Sequence, residues 1–300
     1  MKNVFIIGCG LLGSSLLKSI SKKKITKKIL VYEKSKTNLT KIKKLKLPGK
    51  IVSSLREGVI KSDFIIFCTP MSEYKKIIIE INKFVLPGTL ITDIGSSKIE
   101  TSKVFQNFLR KGINWIQSHP ITGSEVSGPE HGDSNIFNNK WCILIKEKNT
   151  KKKNLNSLSK FWKKMGSKVI VMNADKHDKI FSITSHLPHL IAYNLVKTAI
   201  DFQKKNKKNI IKFSAGGLRD FSRTAASNEI MWRDIFFNNK DNIIKSINIF
   251  IKNLNILKRQ IKNENNKNIL KILKNSKRVR KKIIELKQDI SKPNFGRDLI

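Results

Sequence analysis

Gly8-Cys9-Gly10-Leu11-Leu12-Gly13 closes the first apolar run of the chain and opens an amphipathic stretch. Each glycine in such a turn has its own physical use. Gly8 permits the tight turn, Gly10 lets backbone approach a pyrophosphate, and Gly13 lets helix and strand pack closely. The pyrophosphate would rest on the N–H groups and positive end of the helix that Leu11 and Leu12 begin. Glu33 follows Gly13 by 20 residues and ends the second apolar run, where a carboxylate takes the ribose hydroxyls. Thr69-Pro70, at the end of a third run, completes the candidate cofactor set. A carboxylate at Glu33 accepts from the free diol of NAD and repels the 2′-phosphate of NADP, so NAD is the expected cofactor. Lys34 and Lys36 beside it are the cations that would screen a phosphate instead.

The five histidines, at positions 119, 131, 177, 186 and 189, all lie between 119 and 189. His119 in Ser118-His119-Pro120 follows an apolar run, as Ser96 does in Asp93-Ile94-Gly95-Ser96-Ser97-Lys98. Open α/β sheets bind ligands at the carboxyl edge, so both residues are expected to share a cleft with the nicotinamide. A neutral imidazole, with an ordinary pKa of about 6.5, suits a proton acceptor there; a structural histidine is the competing reading of His119. His186 and His189 stand three apart on one helix face. Such a pair could ligate zinc, but no third ligand lies near in sequence, so no metal is expected. His131 and His177 read as loop and helix-start residues without a catalytic role. Trp232, flanked by Ile230, Ile235 and Phe236, reads equally as core and as ligand contact.

These residues need elements to position them. Candidate strands cover residues 4–8, 29–33, 64–69, 89–94, 113–118, 141–145 and 168–172, with helical patterns at 11–20, 73–84 and 155–165. Several strands are continuous apolar runs, which suits a parallel sheet covered on both faces. The alternation predicts a doubly wound α/β domain over residues 1–172. Beyond it, residues 176–205 read as one long helix kinked at Pro188, which lacks the N–H to continue the ladder. A Gly-rich break at 214–217 follows, and Ile243, Ile244, Ile247, Ile251, Leu254 and Leu257 then fall on one helical face. Residues 173–300 are therefore expected to be all-α, with a frayed Lys- and Asn-rich tail from about Lys262. The Lys-Asn tracts at 149–156 and 203–209 read as solvated connections.

Composition bounds the function. Three hundred residues at 39% apolar can bury a core without staples, which excludes whole-chain disorder. The net charge of +39 raises nucleic-acid binding. However, only nine of the 61 basic residues are arginine, the usual phosphate fork, and the lysines are spread along the chain. A specific nucleic-acid role is set aside. Cys9, Cys68 and Cys142 have neither metal nor redox spacing and read as reduced core residues of a cytoplasmic protein. The apolar stretch before Cys9 is too short for an export signal, and no run reaches the ~20 residues of a membrane span.

Taken in order, Gly8-x-Gly10-x-x-Gly13, Asp93-x-Gly95-Ser96-x-Lys98, Ser118-His119-Pro120, Ser127-Gly128-Pro129, His177-Asp178, Ser185-His186-Leu187-Pro188-His189, Gly217-Leu218-Arg219-Asp220-Phe221-Ser222-Arg223 and Met231-Trp232-Arg233-Asp234 resemble the prephenate dehydrogenases along nearly the whole chain. The resemblance implies a Rossmann-type sheet followed by an all-α dimerisation domain, and a monofunctional NAD-dependent enzyme of tyrosine biosynthesis that makes 4-hydroxyphenylpyruvate from prephenate as a homodimer. It implies that His119 is the catalytic acceptor of the hydroxyl proton and that Ser96 orients the hydroxyl or the histidine. It further implies that His189 lines the substrate pocket, Arg223 clamps a carboxylate, and Trp232 reaches the neighbouring subunit's site. An arogenate or dual-specificity dehydrogenase is the rival within the family. A 3-hydroxyacid dehydrogenase, which would use a catalytic lysine in the helical half, and a basic binding protein retaining the fold are the more distant ones.

Overall fold

The computed structural model describes residues 2–206 and 209–289. The chain forms two compact units, residues 1–243 and 244–300. At the centre of the first lies a six-stranded parallel sheet. Its strands are β1 (Asn3–Ile7), β2 (Lys28–Tyr32), β3 (Lys50–Ile51), β4 (Phe64–Phe67), β5 (Leu90–Asp93) and β6 (Asn114–Trp115), in the order β3-β2-β1-β4-β5-β6. Helices α1 (Leu11–Lys22), α2 (Lys36–Lys44), α3 (Leu55–Ile60), α4 (Tyr74–Ile81) and α5 (Ile99–Phe108) make the crossovers. Alternate side chains of each strand feed two cores. Val4, Ile6, Phe64 and Ile66 pack with Leu16, Leu17 and Trp162 on one face, while Phe5, Ile7, Ile65 and Phe67 pack with Tyr74, Ile78 and Phe105 on the other. Burial on both faces is why the strands read as unbroken apolar runs.

The run at 113–118 is two strands rather than the single one predicted. Ile116 N–H still bonds Ile91 in the large sheet, whereas the Gln117 carbonyl already accepts from Ile145 N–H in a second sheet. Gln117 is buried at this transfer, where its amide meets Thr101 and accepts from Ser102 Oγ at 2.6 Å. The second sheet has the order β7-β8-β9, with β7 (Ser118–Pro120) antiparallel to β8 (Trp141–Ile145) and β9 (Lys168–Met172) parallel to β8. The two-residue β3 carries no apolar run and was not predicted. The 149–156 tract, expected as a solvated connection, supplies the first turn of α6 (Lys152–Lys164), whose Leu158, Phe161 and Trp162 enter the core.

Among the described residues no strand follows Met172. The predicted long helix is interrupted: α7 (Ala174–Phe181) is followed by a π turn over Ser182–His186, and then α8 (Leu187–Asn206) begins. Leu187 N–H reaches back five residues to the Ser182 carbonyl, and the next residue, Pro188, has no N–H to restore the four-residue ladder. The 203–209 tract is helical through Asn206, and residues 207–208 lie outside the described residues. Helices α9 (Gly216–Thr224) and α10 (Glu229–Asn238) complete the first unit, and α11 (Lys240–Lys262) begins within it. The second unit holds the remainder of α11 and α12 (Asn266–Glu285), so the Lys-rich tail is a formed helix through Glu285. Ile251 and Leu254, on the face expected to be apolar, are exposed within the chain, as are Leu270 and Leu273 of α12.

Candidate active site

Parallel strands deliver their following loops to one edge, and the reversal of strand order between β1 and β4 opens a crevice there. At that edge Gly8 has φ +93°, and an added Cβ would lie 2.9 Å from the Cys68 carbonyl and from Thr69. A Cβ on Gly13 would run into the Gly8 carbonyl, so helix and strand approach as closely as the sequence spacing anticipates. Gly10 differs. No atom of the fold would meet its Cβ, so the chain itself gives no packing reason for a glycine there. Gly10 leads into α1 with no side-chain cap and no acidic residue in the first turn, leaving the N–H groups of Leu11 and Leu12 available to an anion. Thr69 Oγ1 is buried without a partner beside Gly8, and Pro70 follows it, exposed. This set fits a dinucleotide.

Glu33 does more than was expected of a ribose ligand. Its two carboxylate oxygens accept from Cys9 N–H and Ser35 N–H, each at 2.8 Å, so it braces the glycine turn from the end of β2. Each oxygen keeps a second lone pair for a hydroxyl. Glu33 and burial together push the Cys9 thiol up to about 12, burial being the larger cause. That makes Cys9 an inert core residue.

Next along the edge, the loop after β5 is locked by a buried ion pair. Lys98 Nζ lies 2.8 Å from Asp93 Oδ2 and donates to the Ser118 carbonyl at 2.6 Å, with neither side chain exposed. Asp93 Oδ2 also accepts from Gly95 N–H at 2.9 Å and from Tyr74 Oη at 3.2 Å. Lys98 thereby ties the loop that carries Ser96 to the strand that carries His119. Ser118 Oγ is itself held by Thr92 Oγ1 at 2.7 Å and by the Trp162 indole N–H at 3.0 Å.

His119 is buried, with its Nδ1 2.8 Å from His177 Nε2. His177 Nδ1 in turn lies 2.7 Å from Asp178 Oδ1. Burial pushes the pKa of both imidazoles well below 6.5, and the Lys98 ammonium and His186 push in the same direction. His177, read from sequence as a helix-start residue without a role, therefore touches the candidate base directly. A signal for it existed: Ala174, His177, Asp178 and Phe181 share the spacing of a buried helix face, so two titratable side chains occupy core positions.

The π turn and α8 bring His186 and His189 to the same place. His186 is buried, and Asn239 Nδ2 bridges its Nδ1 at 3.1 Å and the Asp178 carbonyl at 2.8 Å. Its pKa is pushed down to about 4, mainly by burial, although Asp178 and the Ser96 backbone oppose the shift. His189 Nδ1 meets the Ser185 carbonyl at 3.0 Å, and its ring stacks on Trp232 with centroids 3.8 Å apart. Trp232 was expected to reach a neighbouring subunit. Within its own chain it is 95% buried against His189 and His186, where two rings and the α10 core cover the indole. Its Nε1 has no partner. Arg223, on α9, lies 3.5 Å from Glu125 Oε2 with its side chain 53% exposed, and its charge helps burial lower the pKa of His189. It stands at the rim rather than as a buried anchor.

Two family descriptions match the chain: "Prephenate dehydrogenase, nucleotide-binding domain" over residues 16–171 and "Prephenate dehydrogenase, dimerization domain" over residues 173–275. The chain belongs to the prephenate dehydrogenase family. It is 30% identical to the prephenate dehydrogenase of Lactococcus lactis over 93% of this chain and 77% of that one. It is 29% identical to the cyclohexadienyl dehydrogenase of Zymomonas mobilis over 93% and 95%. Among solved structures, the prephenate dehydrogenase of Aquifex aeolicus in complex with hydroxyphenyl propionate and NAD+ superposes with a TM-score of 0.87 at 33% identity, covering 94% of this chain and 98% of that one. Membership makes this chain an oxidoreductase with a nucleotide-binding domain, which removes the basic binding protein and the lysine-dependent hydroxyacid dehydrogenase from consideration. Among the described residues no helix is long and apolar enough to cross a membrane.

Proposed function

We propose that the chain catalyses the NAD-dependent oxidative decarboxylation of prephenate to 4-hydroxyphenylpyruvate in the cytoplasmic synthesis of tyrosine. Residues 1–172 bind the cofactor, and residues 173–300 bind substrate and dimerise. The observation that carries this reading is His119. It is a buried imidazole held neutral at the carboxyl edge, on the same edge as the glycine turn and the Ser96 loop. The glycine turn, with Leu11, Leu12, Glu33, Thr69 and Pro70, would hold NAD, which supplies the hydride acceptor when bound.

Prephenate carries a ring carbon with both hydrogen and hydroxyl, opposite a quaternary carbon bearing a carboxylate. As hydride departs from the first carbon, the hydroxyl proton moves to His119 Nε2, the nitrogen not engaged by His177. CO2 then leaves the opposite carbon. Its electron pair completes the aromatic ring and returns charge to the oxygen, which retrieves the proton from His119. Ser96 orients the hydroxyl, while His189 and the partnerless Trp232 indole N–H line the pocket. Arg223 at the rim meets a substrate carboxylate in exchange for Glu125. A homodimer accounts for the exposed apolar side chains along α11 and α12, among them Ile251, Leu254, Leu270 and Leu273.

The cyclohexadienyl relative, aligned over 95% of its own length, favours arogenate as a second substrate. NADH formation with prephenate and with arogenate, measured side by side, tests both readings. Turnover of neither refutes the proposal.

A further inference from the structure

The steps assigned above employ neither His177 nor Asp178, yet both are wholly buried. The Asp178 carboxylate accepts from Lys98 N–H at 2.9 and 3.1 Å and from Ile99 N–H at 2.9 Å, at the N-terminal end of α5. Backbone donors and the positive helix end favour its anion there, against the burial that raises its pKa. An anionic carboxylate has no proton to give, so the 2.7 Å contact requires the proton on His177 Nδ1. A neutral imidazole has only one such proton. His177 Nε2 is therefore an acceptor, and the 2.8 Å contact requires His119 Nδ1 to donate. His119 then has its own proton on Nδ1 and a bare lone pair on Nε2.

We propose that Asp178 and His177 are positioning residues that hold His119 in the one tautomer able to take the hydroxyl proton at Nε2, a proposal that rests on the functional reading above. From His119 each imidazole donates toward the Asp178 carboxylate, which the α5 amides hold from the other side. When Nε2 gains its proton, the imidazolium keeps Nδ1–H directed at His177 Nε2. The new charge is thus shared along an existing bond, and no bond is broken. The intervening imidazole has a physical purpose. A carboxylate bonded directly to His119 would orient it equally well, but would place a negative charge beside a dianionic substrate. His177 moves that charge back to the α5 terminus. Because Asp178 grips the backbone of Lys98 and Ile99, the relay also fixes the loop that carries Ser96.

The wild-type holoprotein, labelled with ¹⁵N at histidine and saturated with NAD, tests this directly. Imidazole nitrogen NMR is expected to show the proton on Nδ1 of both His119 and His177, and a His119 that carries it on Nε2 overturns the relay without any variant. Asp178→Asn keeps an oxygen for the α5 amides but turns an NH2 toward His177, reversing each donor. That variant is expected to move the His119 proton to Nε2 and to lower kcat roughly 10²–10⁴-fold, with KM and NAD affinity within about threefold. A folded Asp178→Asn enzyme with kcat near wild type overturns the proposal. Should Asp178→Asn not fold, the wild-type tautomer decides alone. A wild-type enzyme inactive on both prephenate and arogenate would refute the functional reading, while the tautomer measurement still judges the relay.

Discussion

Lys98→Met removes the ammonium from the pair that joins the Ser96 loop to the His119 strand while keeping most of the side-chain volume. Lys98 and Asp93 are both wholly buried, so solvent cannot replace what is lost. Asp93 keeps Gly95 N–H and Tyr74 Oη on Oδ2, but its Oδ1 already has no partner. Breaking a buried pair by removing one member costs about 3–5 kcal/mol. The Ser118 carbonyl also loses its 2.6 Å donor, adding about 1 kcal/mol. The expected loss is about 4–6 kcal/mol, or a fall in Tm of roughly 10–20 °C for a unit of this size. Urea denaturation followed by tryptophan fluorescence measures it. Adding Asp93→Asn to Lys98→Met removes the stranded charge while keeping acceptors for Gly95 and Tyr74, and should recover at least about 2 kcal/mol. A loss below about 1.5 kcal/mol in the single variant, or no recovery in the double, would refute the reasoning.

Stability and activity should both depend on pH through the buried histidines. His119, His177 and His186 titrate below the unfolded value of about 6.5, so the unfolded chain binds more protons just below that pH and stability falls as pH drops through it. With burial first, and then His177, Lys98 and His186, all disfavouring protonation of His119, kcat/KM should stay flat down to pH 6.5 and decline only below it. A limb centred near 6.5 in a pH–rate series would show a base exposed to solvent. Gly10→Ala should leave stability within about 1 kcal/mol, because nothing meets the added Cβ, yet weaken NAD binding about tenfold or more in a fluorescence titration. Gly13→Ala should instead destabilise the fold by about 1–3 kcal/mol in the same urea assay. Arg223→Ala should change stability by less than about 1 kcal/mol, since the pair with Glu125 is half exposed. In steady-state kinetics it should raise the KM for prephenate while NAD affinity holds.

Much of this molecule is written in local pattern. The unbroken runs of β1, β4 and β5 declare a sheet covered on both faces, and Gly8, Gly10, Gly13 and Glu33 mark the nucleotide end, because a tight turn and a close helix–strand approach are demands on adjacent residues. The division of residues 113–118 between two sheets was not legible, since partners from Ile91 and Ile145 decide which sheet each residue joins. The π turn arises where Pro188 removes one N–H, but only the packing of α7 and α8 decides whether the chain kinks or widens there. Trp232 and Arg223 carry the same residue types wherever they land; stacking on His189 buries one, and a rim position on α9 exposes the other. The order of protons through Asp178, His177 and His119 depends on a contact spanning 58 residues. Sequence supplies the donors and acceptors, but a tautomer is chosen by whichever partner lies opposite each nitrogen, and that only the folded chain determines.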